Sequence, residues 1–139
     1  MARTSSFEEA YMVLIKFLML SKHRVIELGS EYDLTAMQTM TLFLLDEPRP
    51  MLRFKKVFNC DASNVTGIID GLEHKKLVSR YENPDDRRIK MVKLEEQGET
   101  VRSALLQKLG HQDGPILSRL DPGEFRTFIT LLRKVTQEA

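Results

Sequence analysis

The run from Asp61 to Leu94 constrains this chain most, because a helix with one small, polar side stands directly ahead of a strand-turn-strand with two arginines at its turn. Val65, Ile68, Ile69 and Leu72 recur at i, i+3, i+4 and i+7, a single apolar stripe on a helix. Asp61-Ala62-Ser63-Asn64 supplies small polar residues to cap its start. If the stripe is buried, Ser63, Asn64, Thr66, Gly67 and Asp70 face outward. Short side chains there let a second surface approach while still offering hydrogen-bond donors and acceptors. A DNA major groove accepts such a face, and Asn and Ser can read base edges in it. The ordinary alternative is an amphipathic helix with a solvated side.

The following residues supply the context. Leu77 to Glu82 is short and β-prone, Asn83-Pro84-Asp85-Asp86 is a turn cluster, and Ile89 to Leu94 is a second apolar-rich run interrupted by Lys90 and Lys93. They predict a hairpin, and the whole order predicts a winged helix-turn-helix. Arg87 and Arg88 fall at or just past the turn, where long cations reach a phosphate backbone or enter a minor groove. Asp86 precedes Arg88 by two residues. On a strand that spacing puts both on one face, so the carboxylate would hold the guanidinium in a fixed pose.

The run Ser63-Asn64-Val65-Thr66, Ile69-Asp70-Gly71-Leu72-Glu73, Leu77-Val78-Ser79-Arg80, Asn83-Pro84-Asp85-Asp86-Arg87-Arg88, Val92-Lys93-Leu94 and Gly98 resembles the MarR family of bacterial transcription regulators. The spacing matches over roughly forty residues, which is more specific than any single motif. The resemblance implies a mainly α fold with a small two-stranded β wing: one domain over 1–139, a winged helix region over 34–94, and dimerisation helices over 6–29 and 99–138. It implies an obligate homodimer on pseudo-palindromic double-stranded DNA, with Ser63, Asn64, Thr66 and Gly67 in the major groove and Arg88 in the minor groove. A small, often aromatic or phenolic effector would occupy a crevice between dimer helices and winged region. Tyr11, Phe17, Met40, Phe43 and Phe54 are aromatic or methionine residues near it, which nothing in the sequence separates from ordinary core.

The chain departs from the family pattern at three places. Phe54-Lys55 stands where Leu-Ala is usual, so either this helix is rotated or Lys55 lays its stem along the surface and points its ammonium toward phosphate. Leu94-Glu95 replaces Leu-Thr, so the next helix needs a start other than a hydroxyl cap. Asn83 replaces the opening Asp of the wing motif.

The formal net charge of +1 hides a segregation. Between Arg49 and Lys93 eleven Lys or Arg face six acids, a local +5, and the remainder carries −4. That is the footprint of a nucleic-acid binder whose other region faces something else. Lys55, Lys56, Arg87 and Lys90 are the expected phosphate contacts. A solvated basic face is the competing account.

The flanks read as helices. Phe7, Tyr11, Leu14, Leu18, Val25 and Leu28 form one stripe, and Met12, Ile15 and Met19 a second beside it, so burial on two sides is expected. Thr35 to Gln38 is a capping box opening a helix with Met40, Phe43 and Leu44 on its apolar side. Val101, Leu105, Leu106 and Leu109 define another helix. Asp121-Pro122-Gly123-Glu124 marks a last helix start, followed by Phe125, Phe128, Ile129, Leu132 and Val135. Excess apolar surface on terminal helices favours an isologous dimer, with a compact monomer as the alternative.

No stretch of eighteen uncharged apolar residues and no export signal is present, so a soluble, cytoplasmic protein without a membrane partner is expected. The single cysteine, Cys60, permits no internal disulfide and reads as a packing residue before the recognition helix, with a redox sensor as the alternative. His23, His74 and His111 lack ligand spacing, and the adjacent carboxylates are solvated pairs, so no metal, cofactor or catalysis is expected. These features predict a dimeric, sequence-specific DNA-binding regulator, most simply a repressor. A winged-helix module that binds a protein partner is the alternative reading.

Overall fold

The computed structural model describes residues 2–112 and 114–137. In chain order these form α1 (Ala2–Ser30), α2 (Ala36–Leu44), β1 (Arg49–Pro50), α3 (Met51–Phe58), α4 (Ala62–His74), β2 (Val78–Glu82), β3 (Lys90–Leu94), α5 (Glu96–Gln112), α6 (Gly114–Leu117) and α7 (Pro122–Thr136). They divide into two units, residues 1–106 and 107–139, with α5 running from the first into the second. No helix among the described residues is long and apolar enough to cross a membrane.

In the first unit the predicted stripe of α4 forms the centre of the core. Val65, Ile69 and Leu72 are 2% exposed or less, each burial contributing roughly 1.5–3 kcal/mol before entropy is counted. Ile68 sits at the margin, half-buried. Asp61 caps the helix, its Oδ1 accepting the Asn64 N–H at 2.9 Å. After α4, Lys76 adopts a left-handed conformation (φ 62°) that turns the chain into β2.

The hairpin is antiparallel, with Val78 opposite Leu94 and Glu82 opposite Lys90. A third strand joins it: Arg49 pairs with Val92 and Pro50 with Met91, giving the order β1-β3-β2. Two residues are too short to leave a periodic signal, and the missing N–H of Pro50 is tolerated at a sheet edge.

The Thr35 capping box forms as expected, Thr35 Oγ1 accepting the Gln38 N–H and Gln38 Oε1 accepting the Thr35 N–H, both at 3.1 Å. The face of α2 differs from the expected one. Thr39, Thr41 and Leu42 are fully buried, whereas Met40 is 37% exposed and Phe43 and Leu44 are half-buried. The two threonines donate back to the carbonyls of Thr35 and Met37 at 2.9 and 2.7 Å, which removes the cost of burying their hydroxyls. Gly29 makes room for one of them, since a Cβ there would lie 2.1 Å from Thr39 Oγ1.

Gly98 allows the start of α5 to close on the loop before β2. A Cβ on it would stand 1.9 Å from the Leu77 carbonyl oxygen, which already accepts the Glu95 N–H at 2.9 Å. Gly98→Ala is expected to lower stability by about 2–3 kcal/mol, as overpacking against backbone does, visible as a depressed thermal midpoint. An unchanged midpoint would mean that this junction yields without cost. The helix starts without a hydroxyl cap, but Glu96 and Glu99 in its first turn complement the helix dipole.

The burial expected on two sides of α1 is not supplied within one chain. Leu28 is fully buried, whereas Phe7, Tyr11, Leu14 and Leu18 on one stripe, and Met12, Ile15 and Met19 beside it, are 42–67% exposed. In the second unit α7 begins with the predicted capping box, Asp121 with Glu124 and Pro122 in the first turn. Phe128, Ile129 and Leu132 are half-buried there, and Phe125, Leu131 and Val135 exposed.

Candidate nucleic-acid interface

The outward face of α4 carries Ser63, Asn64, Thr66, Gly67 and Asp70, all exposed. Internal bonds decide what it offers. Ser63 Oγ donates to Asp61 Oδ1 at 2.7 Å and Thr66 Oγ1 donates to the Ala62 carbonyl at 2.9 Å. Both hydroxyl protons are thus committed inward, leaving oxygen lone pairs facing out as acceptors. The Asn64 side-chain amide has no hydrogen-bond partner among the described residues, so it retains donors and an acceptor. The Asn64 N–H, and then the Ser63 hydroxyl, hold the Asp61 carboxyl below its ordinary pKa, so the cap stays ionised near neutrality.

At the wing tip the predicted Asp86–Arg88 contact is present, but its cause differs. Residues 86–88 lie in the turn between β2 and β3, not on a strand. Asp86 Oδ1 accepts the Arg88 backbone N–H at 3.1 Å, an Asx-type turn. Its two oxygens also take Arg88 Nε and Nη2, each at 3.0 Å. The Arg88 guanidinium lowers the Asp86 pKa and is itself raised by it. The acid keeps its charge until the pH falls below the ordinary carboxylate range, so the pose is constant around neutrality. The Arg88 side chain is 91% exposed, so it is held yet open. Asn83 performs the turn function expected of Asp, its Oδ1 accepting the Asp85 N–H at 2.9 Å.

A cleft of about 630 Å³ opens between α3, α4 and the wing. Met51, Leu52, Val65, Ile89 and Met91 give it an apolar floor, and Lys55, Arg88 and Lys90 bring cations to it. Lys55, Thr66, Arg88 and Lys90 therefore share one concavity, whereas Lys56, Ser63, Asn64, Gly67, Asp86 and Arg87 do not line it. α3 keeps Phe54 inside, 1% exposed and 6.1 Å from the Phe58 ring, and leaves Lys55 and Lys56 exposed in its last turn. Asn59 ends that helix in a left-handed conformation (φ 49°), and the half-buried Cys60 donates its N–H to the Lys55 carbonyl. Lys90 has a loose contact with Glu82 at 3.7 Å.

Three cations that tie distant elements of this unit together leave no signal in the local sequence pattern. Arg80 on β2 donates Nε to Glu73 Oε2 at 3.0 Å and Nη2 to Asp70 Oδ1 at 2.6 Å, so it holds two carboxylates of α4. Lys75 donates Nζ to the Asp33 carbonyl and to Gln38 Oε1. Arg102 of α5 donates to the carbonyls of Leu42 and Phe43 at 3.0 and 3.2 Å, satisfying the end of α2. Their partners lie 7 to 60 residues away in sequence, so no local spacing reveals them.

The MarR family model matches residues 34–90 of the chain. Curated proteins similar to it include two bacterial regulators. The uncharacterized HTH-type transcriptional regulator YhbI of Bacillus subtilis is 25% identical over 119 residues, covering 84% of this chain and 77% of that protein. The HTH-type transcriptional repressor NicR of Pseudomonas putida is 29% identical over 105 residues, covering 74% and 66%. Among solved structures, the reduced form of E. coli MarR is 30% identical with a TM-score of 0.68, covering 88% of this chain and 93% of that one. A mutant E. coli MarR complexed with operator DNA is 29% identical with a TM-score of 0.66, covering 88% and 91%.

Proposed function

The chain belongs to the MarR family of winged helix-turn-helix transcription regulators, and from that membership we propose that it is a homodimeric, sequence-specific DNA-binding repressor, released by a small aromatic or phenolic effector. One observation carries the reading: an open recognition face on α4 shares a unit with an arginine held in a fixed pose at the wing tip but left exposed to solvent.

In this reading α4 enters the major groove. Asn64 reads a base edge, Ser63 and Thr66 accept from exocyclic amines or adjoining groups, and Gly67 admits close approach. Arg88, held by Asp86, enters the adjacent minor groove, while Lys55, Lys56, Arg87 and Lys90 neutralise phosphates. Two subunits on one symmetric site would block promoter access. The likeness to E. coli MarR, solved with operator DNA, and to the repressor NicR supports the partner and the sign.

Selection of genomic fragments by the purified protein, followed by salt titration on the enriched fragment, tests this. A two-fold symmetric site is expected, with affinity falling about 10³-fold or more between 50 and 200 mM salt, as for a protein neutralising six or more phosphates. A folded protein that enriches no site, with or without added phenolic compounds, would overturn the proposal in favour of a protein-binding winged helix.

A further inference from the structure

The DNA-binding reading requires α4 and the wing tip to engage adjacent grooves simultaneously, and the two are separate elements whose relative pose something must hold. Ile69 on α4 and Val78 on β2 are both buried, but apolar burial leaves rotation soft, since it is non-directional. One directional link between them is Arg80. It lies on β2 opposite Val92, and its guanidinium reaches Glu73 and Asp70 on α4 through three bonds of 2.6 to 3.1 Å. A planar fork on two carboxylates resists both sliding and twisting.

Leverage makes this matter at the tip. Glu82, two residues beyond Arg80, is in the last paired position of the hairpin, and Arg88 lies past it. At about 3.4 Å per residue the tip is roughly 10 Å from Arg80, so a rotation of roughly ten degrees there moves Arg88 by roughly 2 Å. A displacement of that size breaks a hydrogen bond. The clamp has a second consequence. Asp70 is exposed on the face that would meet DNA, and Arg80 neutralises it where it would otherwise repel phosphate.

We propose that Arg80 is a positioning residue for DNA recognition, setting the angle of the wing to the recognition helix through Asp70 and Glu73 so that Arg88 reaches its groove while α4 occupies its own. This rests on the DNA-binding function proposed above. It predicts a dependence between residues that do not touch: Arg88 contributes to affinity only while the clamp is intact.

A double-mutant cycle on the enriched operator fragment measures that dependence. In the wild-type background Arg88→Ala is expected to weaken binding about thirtyfold. With Arg80→Met, or with Asp70→Asn and Glu73→Gln together, it should weaken binding less than threefold further. The carboxylate pair is the stronger background, because it leaves Arg80 in place and makes near-isosteric changes at an exposed Asp70 and a half-buried Glu73, so it serves where Arg80→Met fails to fold. A purely stabilising clamp would lower the thermal midpoint while Arg88→Ala kept its full cost, which would overturn the proposal. Direct contact of Arg80 with DNA would give independent losses for Arg80→Met and Arg88→Ala and would also overturn it. If the wild-type protein selects no operator, the function on which the clamp depends is what has failed, and the clamp proposal fails with it.

Discussion

Glutamate at both Leu14 and Leu18 is expected to turn the proposed dimer into a monomer and to lower its operator affinity by about a hundredfold or more. These residues are 44% and 64% exposed and lie on the stripe that also carries Phe7 and Tyr11. A helix with apolar residues open on two adjoining faces is stable in water only against a partner, and a second copy of the same surface is the simplest one. A two-fold dimer presents two recognition helices to two half-sites, the second binding at the effective concentration set by the first. Losing that linkage removes a factor of roughly 10² to 10⁴ without disturbing any contact between one subunit and DNA. Light scattering reports the mass, and titration on full and half operators reports the affinity. A persistent dimer with unchanged affinity would place the subunit contact elsewhere. Substitution is a sharper test than removal of residues 6–29, because Leu28 and Gly29 belong to the core of the first unit and their loss would unfold it.

Arg88→Ala should leave the dimer and its thermal midpoint unchanged while weakening operator binding about thirtyfold. The side chain is 91% exposed and bonds to Asp86 in its own turn, so the fold loses little. One wing contact of about 1 kcal/mol, doubled by symmetry, accounts for that factor at 1.4 kcal/mol per tenfold. The salt dependence should become shallower by about one unit of slope per arginine removed, since each guanidinium displaces a condensed counterion. Unchanged affinity would exclude the wing from recognition and leave α4 with the lysines as the whole interface. Asp86 remains ionised across neutral pH by virtue of its lowered pKa, so the Arg88 contribution should not titrate between about pH 6 and 8. It should weaken only in acid, as Asp86 gains its proton and releases the guanidinium.

The departures of this chain from its family turn out to be local exchanges. Asn83 makes the turn bond expected of Asp, α5 begins on acidic residues where a hydroxyl is usual, and Lys55 lies on the exposed side of a helix whose Phe54 stays in the core. The basic segment is also less uniformly available than its charge suggests. Arg80 is committed to Glu73 and Asp70, and Arg49 to Asp46 and Glu47, so in the proposed complex the phosphate contacts fall to Lys55, Lys56, Arg87 and Lys90.

Much of the architecture was legible from residue order alone. The apolar stripe of α4, its Asp61 cap, the capping boxes at Thr35 and Asp121 and the hairpin turn are short-range features, each decided by residues within seven positions of one another, and local backbone chemistry specifies them. The buried face of α2 was not legible, because two back-bonded threonines behave as core residues and outrank Met40, and only the space beside Gly29 makes that choice. The third strand depends on a partner more than forty residues away. The Asp86–Arg88 spacing suits a strand face, but an Asx turn makes the pair instead. By itself the sequence determined which helices and turns form and where the open polar face and wing arginines lie along the chain. Tertiary structure alone decided how Arg80, Lys75 and Arg102 tie those pieces together, because a long cation finds its carboxylate or carbonyl only after packing has brought distant elements within reach.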